Sequence, residues 1–193
     1  MAPRRRSLRL DDLGASSKQF EWWSRRRWAN VWPLHSRALF GAWGPYRELA
    51  PHALDRICIA VDTVGRTLTL AITPNWVERD GTLIPYETKY PQHAAVVRRW
   101  ARAGVVTVVQ HGWTHCLPGQ HHPRWIGGNR PAHREDYADR VREIAGVPVT
   151  GYVAPGAATP AGWRVWHDRD FVLDWPRAFG DLLAELMGPR PGR

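Results

Sequence analysis

Cysteine is scarce in this chain, and long apolar runs are missing. Only two cysteines, Cys58 and Cys116, occur among 193 residues, too few for a disulfide-rich secreted scaffold. Cys58, within "RICIAV", is predicted to be a small buried apolar residue. The basic N-terminal segment "MAPRRRSLRLDD" lacks the apolar core of a signal peptide. No apolar stretch reaches the about 20 residues that a membrane-spanning helix needs. We therefore expect a cytoplasmic protein without a membrane segment.

Acidic residues are also in the minority. The chain has 18 Asp and Glu against 27 Lys and Arg, a formal net charge of +9, and most of the basic residues are arginine. Such a charge is compatible with binding to nucleic acid or to an anionic surface. The arginines are dispersed, however, with short runs at residues 4–6 and 25–27, and no RNA-binding or helix-turn-helix motif is found. A solvated surface is the favoured interpretation, and nucleic-acid binding is the weakest alternative.

Hydrophobic residues make up 44% of the chain, which is sufficient for one globular core. We predict a single domain over residues 1–193, with a basic tail at 1–6 and a C-terminal tail at 188–193. Twelve tryptophans stand beside four phenylalanines. Most of these indole rings are expected to pack in the core, and a few to line a groove.

Strand and helix patterns alternate from about residue 67 onward. Apolar and β-branched runs predict strands in "SLRLDD", "TLTLAI", "VVTVVQ", "VTGYVAP" and "FVLDW". Helices are predicted in "YPQHAAVVRRWARAG", "HREDYADRVREIAG", "PAGWRVWHDRD" and "AFGDLLAELMG", and partly in "KQFEWWSRRRWANVW". The segment "RELAPHALDRICIAVDTVG" is ambiguous, with a short helix followed by a strand as one interpretation. This alternation indicates a parallel α/β fold, whose functional groups gather at the C-terminal ends of the strands.

Two carboxylates and two imidazoles at such strand ends have the chemistry of a metal site. Asp11 and Asp12 end the first predicted strand, and His111 and His115 follow "VVTVVQ" at i, i+4 spacing. One carboxylate and two neutral imidazoles can hold a metal ion and leave positions open for water. The second carboxylate can accept a proton from that water. Each pair alone is weak evidence for a metal site, since Asp favours turns and histidine pairs arise by chance. Both pairs are expected at the same edge of the sheet, however, and this favours a site.

Four motifs occur in a familiar order: "LRLDDLG", "VVQHGWTH", "GYVAPG" and "FVLDW". They resemble the motifs of the polysaccharide deacetylase (NodB-like) family, most closely its short, divergent members, over roughly residues 7–176. The resemblance implies a distorted (β/α) barrel, either complete or open on one side. It also implies a metal-dependent hydrolase of a C–N amide bond, which N-deacetylates an amino sugar or a small glycoconjugate.

The resemblance also assigns roles to residues. It makes Asp11 the catalytic base, and Asp12, His111 and His115 the ligands of a divalent metal ion, with Zn²⁺ expected. Predicted substrate contacts are Trp76, Trp113, Pro155, Gly156, Asp174 and Trp175. For the two tryptophans on rim loops, capping of the fold is an equal alternative.

Two features depart from the family pattern. The third motif normally carries an arginine that orients the base, but Val153 occupies that position. Arg9 is the substitute candidate, because alternate residues of a strand share a face and Arg9 lies two positions before Asp11. The family's late histidine, its general acid, is missing after His167. His121 and His122 are the leading candidates for that role, and His133 and His167 are further ones.

These departures keep other functions open. A binding or regulatory protein that retains the metal but has lost turnover is the main alternative. The chain is also short after the fourth motif, so a homo-oligomer whose partner chain covers an open side is a further expectation.

Overall fold

The computed structural model describes residues 6–14, 48–77, 82–115, 134–155 and 157–188. The strands within these ranges are β1 (Ser7–Leu13), β2 (Leu68–Ile72), β3 (Asn75–Val77), β4 (Leu83–Pro85), β5 (Val106–Gln110) and β6 (Trp163–His167). The helices are α1 (Pro51–Thr63), α2 (Tyr86–Lys89), α3 (Pro91–Arg102), α4 (Arg134–Ala145), α5 (Asp168–Leu173) and α6 (Trp175–Met187).

Four strands form one parallel sheet in the order β5-β2-β1-β6. The parallel α/β fold is therefore confirmed. The strand predicted in "VTGYVAP" is reduced to a single parallel bridge between Gln110 and Tyr152 at the β5 edge. β3 and β4 form a separate antiparallel pair. The described strands form an open sheet, and closure into a barrel is not seen among them. Because β1 lies inside the sheet, its C-terminal end is flanked by strands on both sides.

One face of the sheet is apolar and packs against helices. Leu8 and Leu10 of β1 pair with Leu68 and Leu70 of β2, which pair in turn with Val106 and Val108 of β5. All six belong to one buried cluster, which also contains Ile57 and Val61 of α1, Val97 of α3 and Leu182 of α6. Burial of such aliphatic side chains contributes about 1.5–3 kcal/mol each, so this face supplies much of the folding free energy.

Two predicted elements are exchanged in the structure. "WRVWH" was predicted as part of a helix and is strand β6, whereas "FVL" was predicted as a strand and lies in helix α5. The two helix-start carboxylates, Asp168 and Asp170, explain the boundary, because negative charge is favoured in the first turn of a helix. Asp170 accepts a hydrogen bond from the backbone N–H of His167 at 2.8 Å. The strand prediction for residues 171–175 is therefore wrong.

The ambiguous segment before β2 is helical throughout residues 51–63, so its predicted strand is also wrong. The strands "SLRLDD", "TLTLAI" and "VVTVVQ" and the helices that end near Gly104 and Gly146 are confirmed. The helix predicted in "KQFEWWSRRRWANVW" lies outside the described residues. None of the described helices combines the length and the apolar character needed to cross a bilayer.

Candidate metal centre

An irregularity in β1 places the carboxylate pair. Leu10 pairs with Leu70 and Leu13 pairs with Ile72, so three steps along β1 correspond to two steps along β2. The extra residue is accommodated at Asp11 and Asp12, and Asp12 has a left-handed backbone with φ 74°. A bulge of this kind re-aims a side chain within a strand. Leu13 thereby rejoins the apolar face, and Asp12 is turned away from it.

Gly14 closes this turn and tolerates no side chain. Its φ is +75°, and a Cβ atom there would lie 2.5 Å from the Thr73 carbonyl oxygen and 2.7 Å from a ring carbon of Tyr86. Its N–H donates to the Glu48 carboxylate at 3.0 Å. The backbone after the carboxylate pair is therefore held against the neighbouring loop.

The histidine pair comes from a tight loop after β5. The N–H of His111 donates to the Ile72 carbonyl at 2.8 Å, and the Thr73 hydroxyl donates to the His111 carbonyl at 3.0 Å. Gly112 and His115 have φ of 73° and 57°. The spacing of four residues is thus bridged by a loop with left-handed turns, as expected from the glycine, and the two imidazole centroids lie 4.8 Å apart.

Asp12, His111 and His115 converge on one point. Asp12 Oδ1 lies 3.2 Å from His111 Nε2 and 3.0 Å from His115 Nε2. One potential ligand atom from each residue lies within 4.8 Å of the others, and all three residues are buried. The predicted coordination group therefore forms in the structure.

The hydrogen-bond partners of His111 indicate what this cluster can bind. His111 Nδ1 lies 2.9 Å from the Val153 carbonyl oxygen, and because a carbonyl only accepts hydrogen bonds, Nδ1 is the donor. In the neutral imidazole, Nε2 then presents its lone pair to the Asp12 carboxylate. Electron-rich atoms that face one another are the arrangement that a cation stabilises, and a backbone partner on the second ring nitrogen is typical of metal-ligating histidines. The donor set fits a divalent ion with open positions.

Asp11 is held by an arginine from its own strand. Arg9 Nε and Nη2 donate to Asp11 Oδ1 and Oδ2 at 2.7 and 3.0 Å, and both residues are less than 5% exposed. This bidentate pair confirms the contact expected from strand alternation. The Arg9 guanidinium also lies 5.8 Å from the Trp163 ring centroid. The arginine beside Asp11 thus comes from β1 itself.

His167 is the group that sequence reasoning undervalued. It ends β6, pairs with Asp11 in the parallel register, and its Nδ1 lies 2.8 Å from Asp12 Oδ2. The hydrogen bond with Asp12 raises the pKa of His167 above its ordinary value, although partial burial opposes that shift. His167 was one of four candidate histidines in the sequence. Because "WRVWH" was wrongly predicted as a helix, His167 was not expected at a strand end. His121, His122 and His133 lie outside the described residues.

The described residues among the predicted substrate contacts have packing and backbone contacts. Trp76 in β3 is 8% exposed and packs edge-on against Tyr90 at 5.2 Å. The carbonyl of the half-buried Trp113 accepts a hydrogen bond from the Asn75 side chain at 3.4 Å. Pro155 is half-buried, and Gly156 lies outside the described residues. Substrate binding by these residues stays a prediction, and the Trp76 contacts are those of a packing residue.

Asp174 and Trp175 belong to the start of α6 and follow no strand. Asp174 is exposed and its carboxylate accepts a hydrogen bond from the Arg177 N–H at 3.3 Å, which caps the helix. Trp175 stacks on Phe179 at 4.8 Å and contacts the Arg56 guanidinium at 5.3 Å. These contacts stabilise α6 against α1 and give no support to a role in substrate binding.

Comparisons with known proteins add little to this geometry. No protein-family model matches the chain, and no curated protein matches it. A search of solved structures finds the crystal structure of a protein from Mycobacterium smegmatis that is provisionally named a polysaccharide deacetylase, at 16% identity and a TM-score of 0.41. The match covers 96% of this chain and 50% of that protein, so this chain spans half of its length. A likeness at this level carries no argument about activity.

Proposed function

We propose that the chain is a metal-dependent hydrolase of C–N amide bonds, and that its reaction is N-deacetylation of an amino sugar or a small glycoconjugate. The observation that carries this proposal is the buried group of Asp12, His111 and His115, whose ligand atoms lie within 4.8 Å of one another. Asp11, a second buried carboxylate, directly precedes Asp12 in β1. The motifs "LRLDDLG" and "VVQHGWTH", which carry these residues and resemble those of polysaccharide deacetylases, support the choice of bond and substrate, and with it a distorted barrel fold.

Asp12, His111 and His115 are the residues that would hold the ion. Two imidazoles and one carboxylate are suited to Zn²⁺, although such sites also take other divalent ions. When bound, a divalent ion polarises an amide carbonyl and makes water more acidic. Three protein ligands leave coordination positions for solvent and substrate, as a hydrolytic site requires.

Asp11 is the proposed general base. Arg9 binds both of its oxygens, which fixes the plane of the carboxylate. Each carboxylate oxygen retains a further lone pair, so Asp11 can still accept the proton of an attacking water. Arg9 acts on the reaction only by orienting Asp11.

The alternative of a binding protein without turnover is weakened by one contact. That alternative depended on the missing third-motif arginine and on the missing late histidine. Arg9 contacts Asp11 from within β1, so an arginine partner for the base is present, whereas the contact of His167 with Asp12 does not make His167 a general acid. We therefore propose a small amino-sugar or glycoconjugate partner in preference to nucleic acid. The cytoplasmic location, the single domain and a homo-oligomeric state stay predictions.

The test is acetate release by the full chain, stripped of metal with a chelator and then reloaded with Zn²⁺. N-Acetylglucosamine and short chitooligosaccharides are the substrates, and mass spectrometry of the sugar reports the loss of the acetyl group. We expect deacetylation by the reloaded protein, but none by the stripped protein or by Asp12→Ala, which lacks a ligand. Zn²⁺ binding at the cluster without acetate release from any of these sugars would favour the binding protein.

A further inference from the structure

The two oxygens of Asp12 have different partners. Oδ1 faces His111 Nε2 at 3.2 Å and His115 Nε2 at 3.0 Å. Oδ2 lies 2.8 Å from His167 Nδ1 on the neighbouring strand. A carboxylate oxygen only accepts hydrogen bonds, so the His167 Nδ1–H is the donor in this contact. The Asp12 carboxylate therefore contacts His111 and His115 through Oδ1, and His167 of β6 through Oδ2.

The scaffold places His167 independently of any ion. Parallel pairing sets His167 beside Asp11 in the β1–β6 register. Its backbone N–H is bound by the Asp170 carboxylate at 2.8 Å, at the point where β6 gives way to α5. The imidazole is 40% exposed, so its second nitrogen can be solvated while Nδ1 is directed inward. The β1–β6 pairing and the Asp170 contact thus hold the His167 backbone beside Asp11 without a metal ion.

The hydrogen bond from His167 restricts how the Asp12 carboxylate can bind a cation. The terminal torsion of Asp is broad, and carboxylates bind cations through one oxygen or through both. Binding through both oxygens would take up a further coordination position beside His111 and His115. A hydrogen bond that occupies Oδ2 leaves Oδ1 as the oxygen that faces the imidazoles.

We infer that His167 is a positioning residue, which holds Asp12 so that it binds the metal ion through Oδ1 alone and keeps one coordination position open. This inference depends on the metal site in the proposed function, and it assigns His167 no contact with the ion. It explains why a histidine at a strand end forms a hydrogen bond to a ligand that already faces two other imidazoles.

The experiment uses the full chain with two metal probes. Zn²⁺ affinity is measured by competition with a chromophoric chelator, and the visible spectrum of the Co²⁺-loaded protein reports coordination number, because four-coordinate Co²⁺ absorbs far more strongly than five- or six-coordinate Co²⁺. The variants are His167→Leu, which removes the donor, and His167→Asn, whose amide N–H replaces Nδ1–H. His52→Leu, at an exposed position of α1, is the matched control.

We expect His167→Leu to bind Zn²⁺ about 10–100-fold more weakly, as is typical when a hydrogen-bond partner of a ligand is removed. Its Co²⁺ spectrum should weaken as both Asp12 oxygens bind. His167→Asn should recover most of the affinity and the wild-type spectrum, and His52→Leu should match wild type. Circular dichroism at the assay temperature verifies that each variant is folded.

Two results would overturn the inference: wild-type affinity and spectrum in His167→Leu, or equal losses in folded Leu and Asn variants. The proposed function fails separately. A wild-type protein that binds Zn²⁺ but deacetylates no sugar removes the hydrolase and leaves the His167 result valid. A wild-type protein that binds neither Zn²⁺ nor Co²⁺ removes both.

Discussion

The two faces of the parallel sheet are built from alternate residues of the same strands, and their chemistry differs. On one face, Leu8 and Leu10 of β1 belong to the apolar cluster beneath the helices. On the other face, Arg9 and Asp11 form a buried ion pair, and the residue beside Arg9 on β2 is Thr69. Consecutive residues of β1 therefore belong alternately to the apolar cluster and to the proposed site.

Asp12 departs from this alternation of the two faces. Regular alternation would put Asp12 on the apolar face with Leu10. The bulge makes Asp12 the extra residue, and Leu13 takes the place opposite Ile72 instead. The Asp12 carboxylate is thereby kept out of the apolar cluster, and the cluster stays continuous because Leu13 is fully buried there.

The largest effect is expected from Asp11→Asn on the polar face. Loss of the base should lower kcat about 10²–10⁴-fold, the range of general-base contributions, while the three ligands still bind Zn²⁺. Elemental analysis of the purified variant and acetate release measure the two effects. Activity close to wild type in this variant would rule out Asp11 as the base.

Arg9→Met tests whether the ion pair also matters for folding. It leaves the Asp11 carboxylate buried without its partner, and breaking such a pair costs about 3–5 kcal/mol in the free energy of unfolding. The double variant Arg9→Met/Asp11→Asn, which removes the remaining charge, should recover much of that loss. Urea unfolding measures both. Equal stability of Arg9→Met and wild type would show that the pair is solvated in solution.

Leu10→Ala tests the apolar face. Removal of a fully buried leucine in this cluster should cost about 2–5 kcal/mol, through lost burial and the cavity that remains. Thr69→Ala, half-buried on the opposite face, is the control and should change stability much less. Below its Tm, Leu10→Ala should keep the wild-type Zn²⁺ stoichiometry. Loss of Zn²⁺ by the folded variant would contradict the separation of the two faces.

The smallest effect is the pH dependence of stability in the metal-stripped protein. The Asp12 hydrogen bond raises the pKa of His167 above 6.5, so its contribution is complete below pH 6.5 and is lost as pH rises through the raised pKa. Burial lowers the pKa of His93 in α3 below 6.5, so stability also falls as pH decreases below 6.5, where the unfolded chain binds the extra proton. Urea unfolding between pH 5 and 8 should show a decline in stability as pH rises above 6.5, and His167→Leu should remove that decline. An unchanged alkaline decline in that variant would contradict the His167 assignment.

Much of this arrangement follows from local patterns in the sequence. The β-branched run "VVTVVQ" is confirmed as a strand, and strand alternation alone placed Arg9 next to Asp11. The motif order brought Asp12 together with His111 and His115. The strand and the Arg9 contact could be predicted because both depend on short-range periodicity. The group of Asp12, His111 and His115 could be predicted because the C-terminal ends of parallel strands meet at one edge of a sheet.

Other features depend on long-range packing and escaped prediction. In "WRVWH", Trp163 and Trp166 have the i, i+3 spacing of a helix, and only pairing with β1 makes the segment a strand. Because the segment was predicted as a helix, His167 was not predicted to lie at a strand end. The bulge at Asp12 likewise results from the register between β1 and β2, which no single strand sequence specifies.

The left-handed backbone of Asp12 and His115, with φ of 74° and 57°, sets a trade-off for engineering. Non-glycine residues held in this region cost of order 1–3 kcal/mol each, and glycine adopts it freely. A selection for heat resistance alone would therefore favour glycine at these two positions, which hold two of the three proposed metal ligands. Variants chosen by that criterion would lose the centre as they gained stability, so a screen on this protein must reward metal retention as well.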